Sequence, residues 1–198
     1  MFTKFYGNFA LSITLLLCPF IFSNHAFAVD VFGIKVPESV TISNQELVLN
    51  GAGIRTKFST KYAVASLYLH EKKTTVDDVI ALSGSKRLCL VLMKSSSSDY
   101  FAEGFITGIR NNATREEREK VFSSMAKFGQ LFSIISDFQK GDIVTIDWIP
   151  NKGIVFAIND KQLGESINDQ LFYSLFLKIW LGDHPLDSSL KRALLSGH

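Results

Sequence analysis

Residues 143–158 constrain the fold most. In Ile143–Ile149 the apolar side chains Val144, Ile146 and Trp148 alternate with Thr145 and Asp147, and Pro150-Asn151-Lys152-Gly153 separates this run from a second, Ile154–Ile158. A period of two interrupted by turn residues is the signature of an antiparallel hairpin with one face on a core. The run Tyr62-Ala-Val-Ala-Ser-Leu-Tyr-Leu69 does not alternate and is rich in β-formers and small residues, so it reads as a central strand covered on both faces. Lys86–Met93 supplies a further strand. Val31–Leu49, punctuated by Pro37 and Asn44, reads as a leading hairpin of two short strands. It runs into Asn50-Gly51-Ala52-Gly53, where two glycines permit a sharp turn or the close approach of another segment.

Helical spacing occupies the rest. Thr75, followed by Asp77 and Asp78, opens a short helix that stops by Gly84. Ser98 or Asp99 caps a helix carrying Tyr100, Phe101, Phe105, Ile106 and Ile109, and Thr114 with Glu117 forms a capping box for a second, whose apolar face runs from Val121 to Ile135. A short strand through Leu163–Ile167 precedes a helix capped by Asn168 and running from about Asp169 to Leu181, and Asp187 caps a last helix through Leu195. With no internal repeat and no linker, this is one α+β domain.

The N-terminus reads differently. Lys4, an apolar run of 14 residues from Phe9 to Phe22 and a polar stretch ending Ala26-Phe27-Ala28 have the three-part layout of a secretory signal peptide over 1–28, cleaved after Ala28. A spanning helix needs roughly 20 apolar residues. The expectation is a periplasmic or secreted domain over 29–198, long enough to fold on its own core. Without Lys4 it carries 20 basic and 19 acidic residues, a balance in which nothing favours nucleic acid or an anionic membrane surface as the partner. Its one cysteine, Cys89, sits in an apolar run and reads as buried packing.

Standard catalytic signatures are missing. His70, His184 and His198 lie at no metal-ligand spacing, there is no phosphate-cradling glycine loop, and no Gly-x-Ser-x-Gly occurs. No catalytic residue, metal or cofactor is therefore assigned. Arg55 stands out, two residues past Gly53 among apolar neighbours. A guanidinium there binds a carboxylate bidentately, stabilises an enolate, or is an ordinary ion-paired surface group. Tyr62, Tyr68 and Tyr100 read on spacing alone as core residues with a satisfied hydroxyl rather than ligand contacts.

The segments Leu49-Asn-Gly-Ala-Gly-Ile-Arg55, Tyr62–Leu69, Lys140-Gly-Asp142, Ile179-Trp-Leu-Gly-Asp-His-Pro185 and Leu190–Leu195, in this order and spacing, resemble the chalcone isomerase-like family, in particular its bacterial exported branch. The resemblance implies the chalcone isomerase fold, an open-faced β-sandwich with helices over one side of a large antiparallel sheet. In the plant enzymes a cleft between sheet and helices cyclises a chalcone, and Arg55 matches the arginine that stabilises the enolate. Tyr100 matches the cleft tyrosine. The family's strand threonine falls on Ala63, its helix asparagine on Thr107 and a further threonine on Ile179, which leaves few donors to orient a polyphenol. Non-catalytic relatives bind fatty acids, with an arginine and a tyrosine on the carboxylate. The resemblance therefore implies a fatty acid or similar apolar carboxylate gripped by Arg55 with Tyr68 or Tyr100, assisted by Thr107. Two other readings stand beside it: an intramolecular lyase or isomerase of the chalcone isomerase type, and an interaction protein with a protein partner and a cleft filled by its own side chains.

Overall fold

The computed structural model describes Met1, residues 28–135 and residues 137–197. The leader read over 1–28 lies outside the described residues except at its two ends. In chain order the elements are β1 (Ala28–Val31), β2 (Ile34–Pro37), β3 (Ser39–Ile42), β4 (Gln45–Lys57), β5 (Thr60–Leu69), α1 (Val76–Ala81), β6 (Lys86–Leu92), β7 (Ser96–Ser97), α2 (Ser98–Asn112), α3 (Arg115–Lys120), α4 (Phe122–Ile134), β8 (Asp137–Phe138), β9 (Ile143–Ile149), β10 (Gly153–Ile158), β11 (Lys161–Gln162), α5 (Gln170–Leu181) and α6 (Ser188–Leu194). Seven strands form one sheet in the order β11-β10-β9-β6-β5-β4-β3, antiparallel throughout. The hairpin read over 143–158 is β9–β10, and Tyr62–Leu69 falls within β5, buried on both faces from Ala63 to Leu69.

Five of the six helices, all but α3, pack residues on one side. Val79, Ile109, Phe128, Leu175 and Leu190 pack with Ala65, Leu67, Leu88 and Ile146 in the main core. The opposite face carries a smaller cluster of Val64, Tyr68, Leu47 and Leu49 under Val36 of β2. Helix α5 is buried around most of its circumference, eight of its twelve residues included, because it lies within the helical layer as well as against the sheet.

Several local readings change. The leading hairpin is two hairpins, β1–β2 and β3–β4. Gly51 and Gly53 make no turn: β4 runs through them, and a Cβ at Gly51 would collide with the Ala193 and Leu194 carbonyls, one at Gly53 with the Ala193 side chain. The glycines exist to let α6 lie on the strand. The helix capped by Thr114 breaks at Val121 into α3 and α4. Ser97 caps α2 and Asp169 caps α5, and the strand read over Leu163–Ile167 contributes only a bridge from Ile167 to Ile154.

Two β-bulges decide where side chains point. Leu49 pairs with Tyr68 while Gly51 pairs with Leu67, so Asn50 is an extra residue in β4. Leu47 and Leu49 therefore face the small cluster, whereas Gly51, Gly53 and Arg55 face the helices. A one-residue slip inverts every later side chain of a strand. Asn50, fully buried, holds the bulge with three hydrogen bonds: its amide donates to the carbonyls of Lys73 (2.9 Å) and Leu194 (2.7 Å), and its Oδ1 accepts from Lys73 N–H (2.6 Å). The second bulge lies in β5. Arg55 pairs with Ala63 and Thr56 with Lys61, leaving Tyr62 as the extra residue.

Candidate ligand-binding site

Between the sheet and helices α2, α4 and α5 lies a cavity of about 320 Å³, within the size range of small-molecule sites. Ala63, Leu90, Val144 and Ile179 form apolar wall, and one end is walled by the rings of Phe105, Phe128, Phe132, Phe156 and Phe176. Phe128 is the hub, with ring centroids 4.8 Å from Phe105 and 5.6 Å from both Phe156 and Phe176. Gly108 sets the width on the helical side. A Cβ there would press into Ile179, so its absence lets α2 close on α5.

The wall also carries a polar group of four. Arg55 is only 9 % exposed; its Nη1 donates to the Leu186 carbonyl at 3.2 Å and its Cζ lies 5.9 Å from the Trp180 ring centre. None of the ion pairs among the described residues involves it. The Tyr100 hydroxyl and Trp180 Nε1–H are buried without a hydrogen-bond partner among the described residues. Tyr62, turned to the cavity at its bulge, stacks on Tyr100 with centroids 5.1 Å apart. Burial raises the Tyr100 hydroxyl above its usual range, against the opposing pull of the Arg55 charge. It is thus a protonated donor at neutral pH.

The N-terminus of α6 fixes this end. Asp187 caps the helix through Ser189 and Leu190 N–H and accepts from both the N–H (2.9 Å) and hydroxyl (3.1 Å) of Thr56, tying the helix to the residue after Arg55. Burial pushes the Asp187 carboxyl up, but these hydrogen bonds outweigh it and hold the group below its usual range. The Leu186 carbonyl is thereby presented to Arg55.

Of the residues read from sequence, Arg55, Tyr100 and Thr107 line the cavity together, and so do Ala63 and Ile179. Tyr68 does not. It belongs to the small cluster on the opposite face, where its hydroxyl donates to the Pro37 carbonyl at 3.0 Å and burial raises its pKa to about 12. Its place in the head-group set is corrected: Tyr68 is a structural donor holding β2 to the sheet. The reading of a cleft filled by its own side chains also gives way, because the phenylalanines wall one end of an open cavity. Trp180, inside the segment Ile179–Pro185 that carries the resemblance, and Lys57 line it too, though neither was read from sequence as a site residue. Cys89 is half-buried on the face away from the cavity, and burial pushes its thiol to about 11, the state of an inert packing residue. Among the described residues no group of three or more His, Cys, Asp or Glu is placed to hold a metal ion.

The family model for chalcone isomerase-like proteins matches residues 28–196, which take in both bulges, the cavity and α6. The chain belongs to the chalcone isomerase-like family. Among solved structures 38 chains match, one of them a fatty-acid binding protein of Arabidopsis thaliana. It shares 15 % identity and a TM-score of 0.64, over 82 % of this chain and 92 % of that one. That likeness is one of fold. No curated protein matches the sequence. Within this chalcone isomerase-like domain, Ala63 and Ile179 make their part of the cavity wall alkyl surface, while Arg55, Tyr100 and Trp180 bring donors to it.

Proposed function

We propose that the protein binds a fatty acid or a similar apolar carboxylate without transforming it, with the carboxylate on Arg55 and Tyr100 and the chain among the phenylalanines. One observation carries this: among the described residues, a nearly buried guanidinium with no acidic partner shares an apolar cavity with two buried, unpartnered donors, the Tyr100 hydroxyl and Trp180 Nε1–H. Buried donors left unmade are costly, and an anionic acceptor satisfies all three. The fatty-acid binding named for the Arabidopsis structure of the same fold supports the same class of ligand. Each methylene of the chain that the cavity buries contributes about 0.8 kcal/mol.

Binding rather than catalysis follows from the wall's chemistry. Among the described residues its one carboxylate, Glu103, and its one amine, Lys57, are both exposed and no histidine lines it, so no histidine or carboxylate base is enclosed in the cavity. The bacterial exported branch of the family and a periplasmic or secreted location remain part of this proposal, supported by Lys4, the apolar run and Ala26-Phe27-Ala28. Native mass spectrometry with lipid extraction on protein from its own host tests the reading. A co-purifying acyl carboxylate that is lost in Arg55→Ala supports it, and an empty protein indifferent to the substitution overturns it. N-terminal sequencing of the exported protein should begin at Val29.

A further inference from the structure

Four two-residue hairpin turns in this fold place both residues at positive φ, the type I′ geometry that favours Asn and Gly. Ser43-Asn44 and Asn159-Asp160 have ordinary polar turn residues. The other two begin with phenylalanine: Phe32-Gly33 between β1 and β2, with Phe32 at φ 52°, and Phe58-Ser59 between β4 and β5, with Phe58 at φ 47°. A bulky side chain in the left-handed region is unfavourable, and these two gain nothing from the core, since Phe58 is 92 % exposed and Phe32 56 %. Strain without burial in the free protein indicates a surface that is buried elsewhere.

The two turns are neighbours. Lys61 Nζ, on the far arm of the Phe58 hairpin, lies 4.6 Å from the Phe32 ring centre. They also adjoin the cavity. Lys57 lines it, and its Nζ lies 4.9 Å from the Tyr100 ring and 5.9 Å from Phe58. Lys94 Nζ lies 5.6 Å from the Tyr62 ring on the other side of the tyrosine stack. Exposed Lys57 and Lys61 thus flank the two projecting phenylalanines and exposed Lys94 lies at the tyrosine stack beside them, while Asp30 is already paired with Lys35 and Glu103 lies on the cavity wall. The Ser43-Asn44 turn, at the other end of β4, has no such residues.

The geometry points to an anionic lipid bilayer as the partner of this end of the molecule: Phe32 and Phe58 insert among the acyl chains, Lys57, Lys61 and Lys94 meet the head groups, and the cavity is brought to the membrane surface. Exposed apolar aromatics flanked by lysines are the chemistry of an interfacial anchor, and a surface with both negative charge and an apolar interior satisfies both residue types. The docking surface stands on its own geometry; its use in collecting or delivering an acyl carboxylate rests on the function proposed above.

Vesicle co-sedimentation of the domain, residues 29–198, tests it, with phosphatidylcholine vesicles set against vesicles containing phosphatidylglycerol. Binding should require the anionic lipid and fall with salt, Phe32→Ser with Phe58→Ser should weaken it at least about tenfold, and Lys61→Glu should weaken it at least about fivefold. None of these three positions lines the cavity, so binding of dodecanoate in solution should stay unchanged, which separates failure of the surface from failure of the ligand reading. Equal sedimentation of the parent and the double variant, or binding confined to uncharged vesicles, overturns the proposal. So does capture of a protein through the two phenylalanines with no vesicle binding.

Discussion

Arg55 spends most of its surface inside the fold without a carboxylate to offset its charge, an arrangement that stability alone does not favour. Arg55→Met should therefore leave the melting temperature equal or higher, while affinity for a fatty acid falls by about 2 kcal/mol or more, some thirtyfold. Calorimetric melting and a ligand titration on the same preparation check both halves. Tyr100→Phe removes one donor to a charged acceptor and should cost about 1.5 kcal/mol of affinity, read in the same titration. Lys86 is a different buried charge. It is 4 % exposed, its amine has no hydrogen-bond or acidic partner among the described residues, its Nζ lies 6.0 Å from the Tyr173 ring centre, and burial pushes its pKa from 10.5 down to about 8. Below about pH 8 the amine is charged in both folded and unfolded chains and its full penalty stands. Between about 8 and 10.5 the unfolded chain binds more protons, so stability rises with pH. Lys86→Met should stabilise the domain by about 1–2 kcal/mol at pH 7, discounted for the solvent its amine still meets, and by almost nothing at pH 10.5. Urea midpoints at the two pH values decide it.

At the scale of elements, the cavity depends on where two strands gain a residue. Asn50 inverts the faces of β4 so that Arg55 points to the helices, and the bulge at Tyr62 brings its ring against Tyr100. Asn50→Ala leaves the Lys73 N–H and the Lys73 and Leu194 carbonyls without their partner. It should cost about 3 kcal/mol in chemical denaturation and weaken ligand binding as the register loosens. These bulges explain what the sequence revealed and what it hid. Alternation in 143–149, the small residues of 62–69, the Thr114 capping box and the Asp187 cap are local patterns, and each produced its element. The resemblance offers Tyr68 or Tyr100 for the head group, and only the pairing of Leu49 with Tyr68 shows that Tyr68 faces away. Gly51 and Gly53 look alike whether they turn the chain or admit a helix; the choice is made by Ala193, some 140 positions later.

For the whole molecule, an antiparallel sheet covered on one side by helices leaves its cavity where β4–β6, β9 and β10 meet α2, α4 and α5. The resemblance carried by Leu49–Arg55 and Ile179–Pro185 had already indicated that cleft, and Arg55, Tyr100 and Thr107 do meet there. Its size, its phenylalanine end and the placing of the Trp180 indole became legible only in three dimensions, because the lining is assembled from segments spread between Arg55 and Leu186. A ligand that binds only the folded state should raise stability by about 2.7 kcal/mol at one hundred times its Kd, a melting shift of about 5–10 °C for a domain of this length. The most direct test of the central claim is a calorimetric titration of the domain with dodecanoate and, in parallel, with its methyl ester, which keeps the chain and removes the charge. Saturable binding of the acid, with the ester at least about thirtyfold weaker, is the predicted result. Equal affinity for the two, or no binding of either, contradicts an apolar cavity whose purpose is to hold a carboxylate on Arg55 and Tyr100.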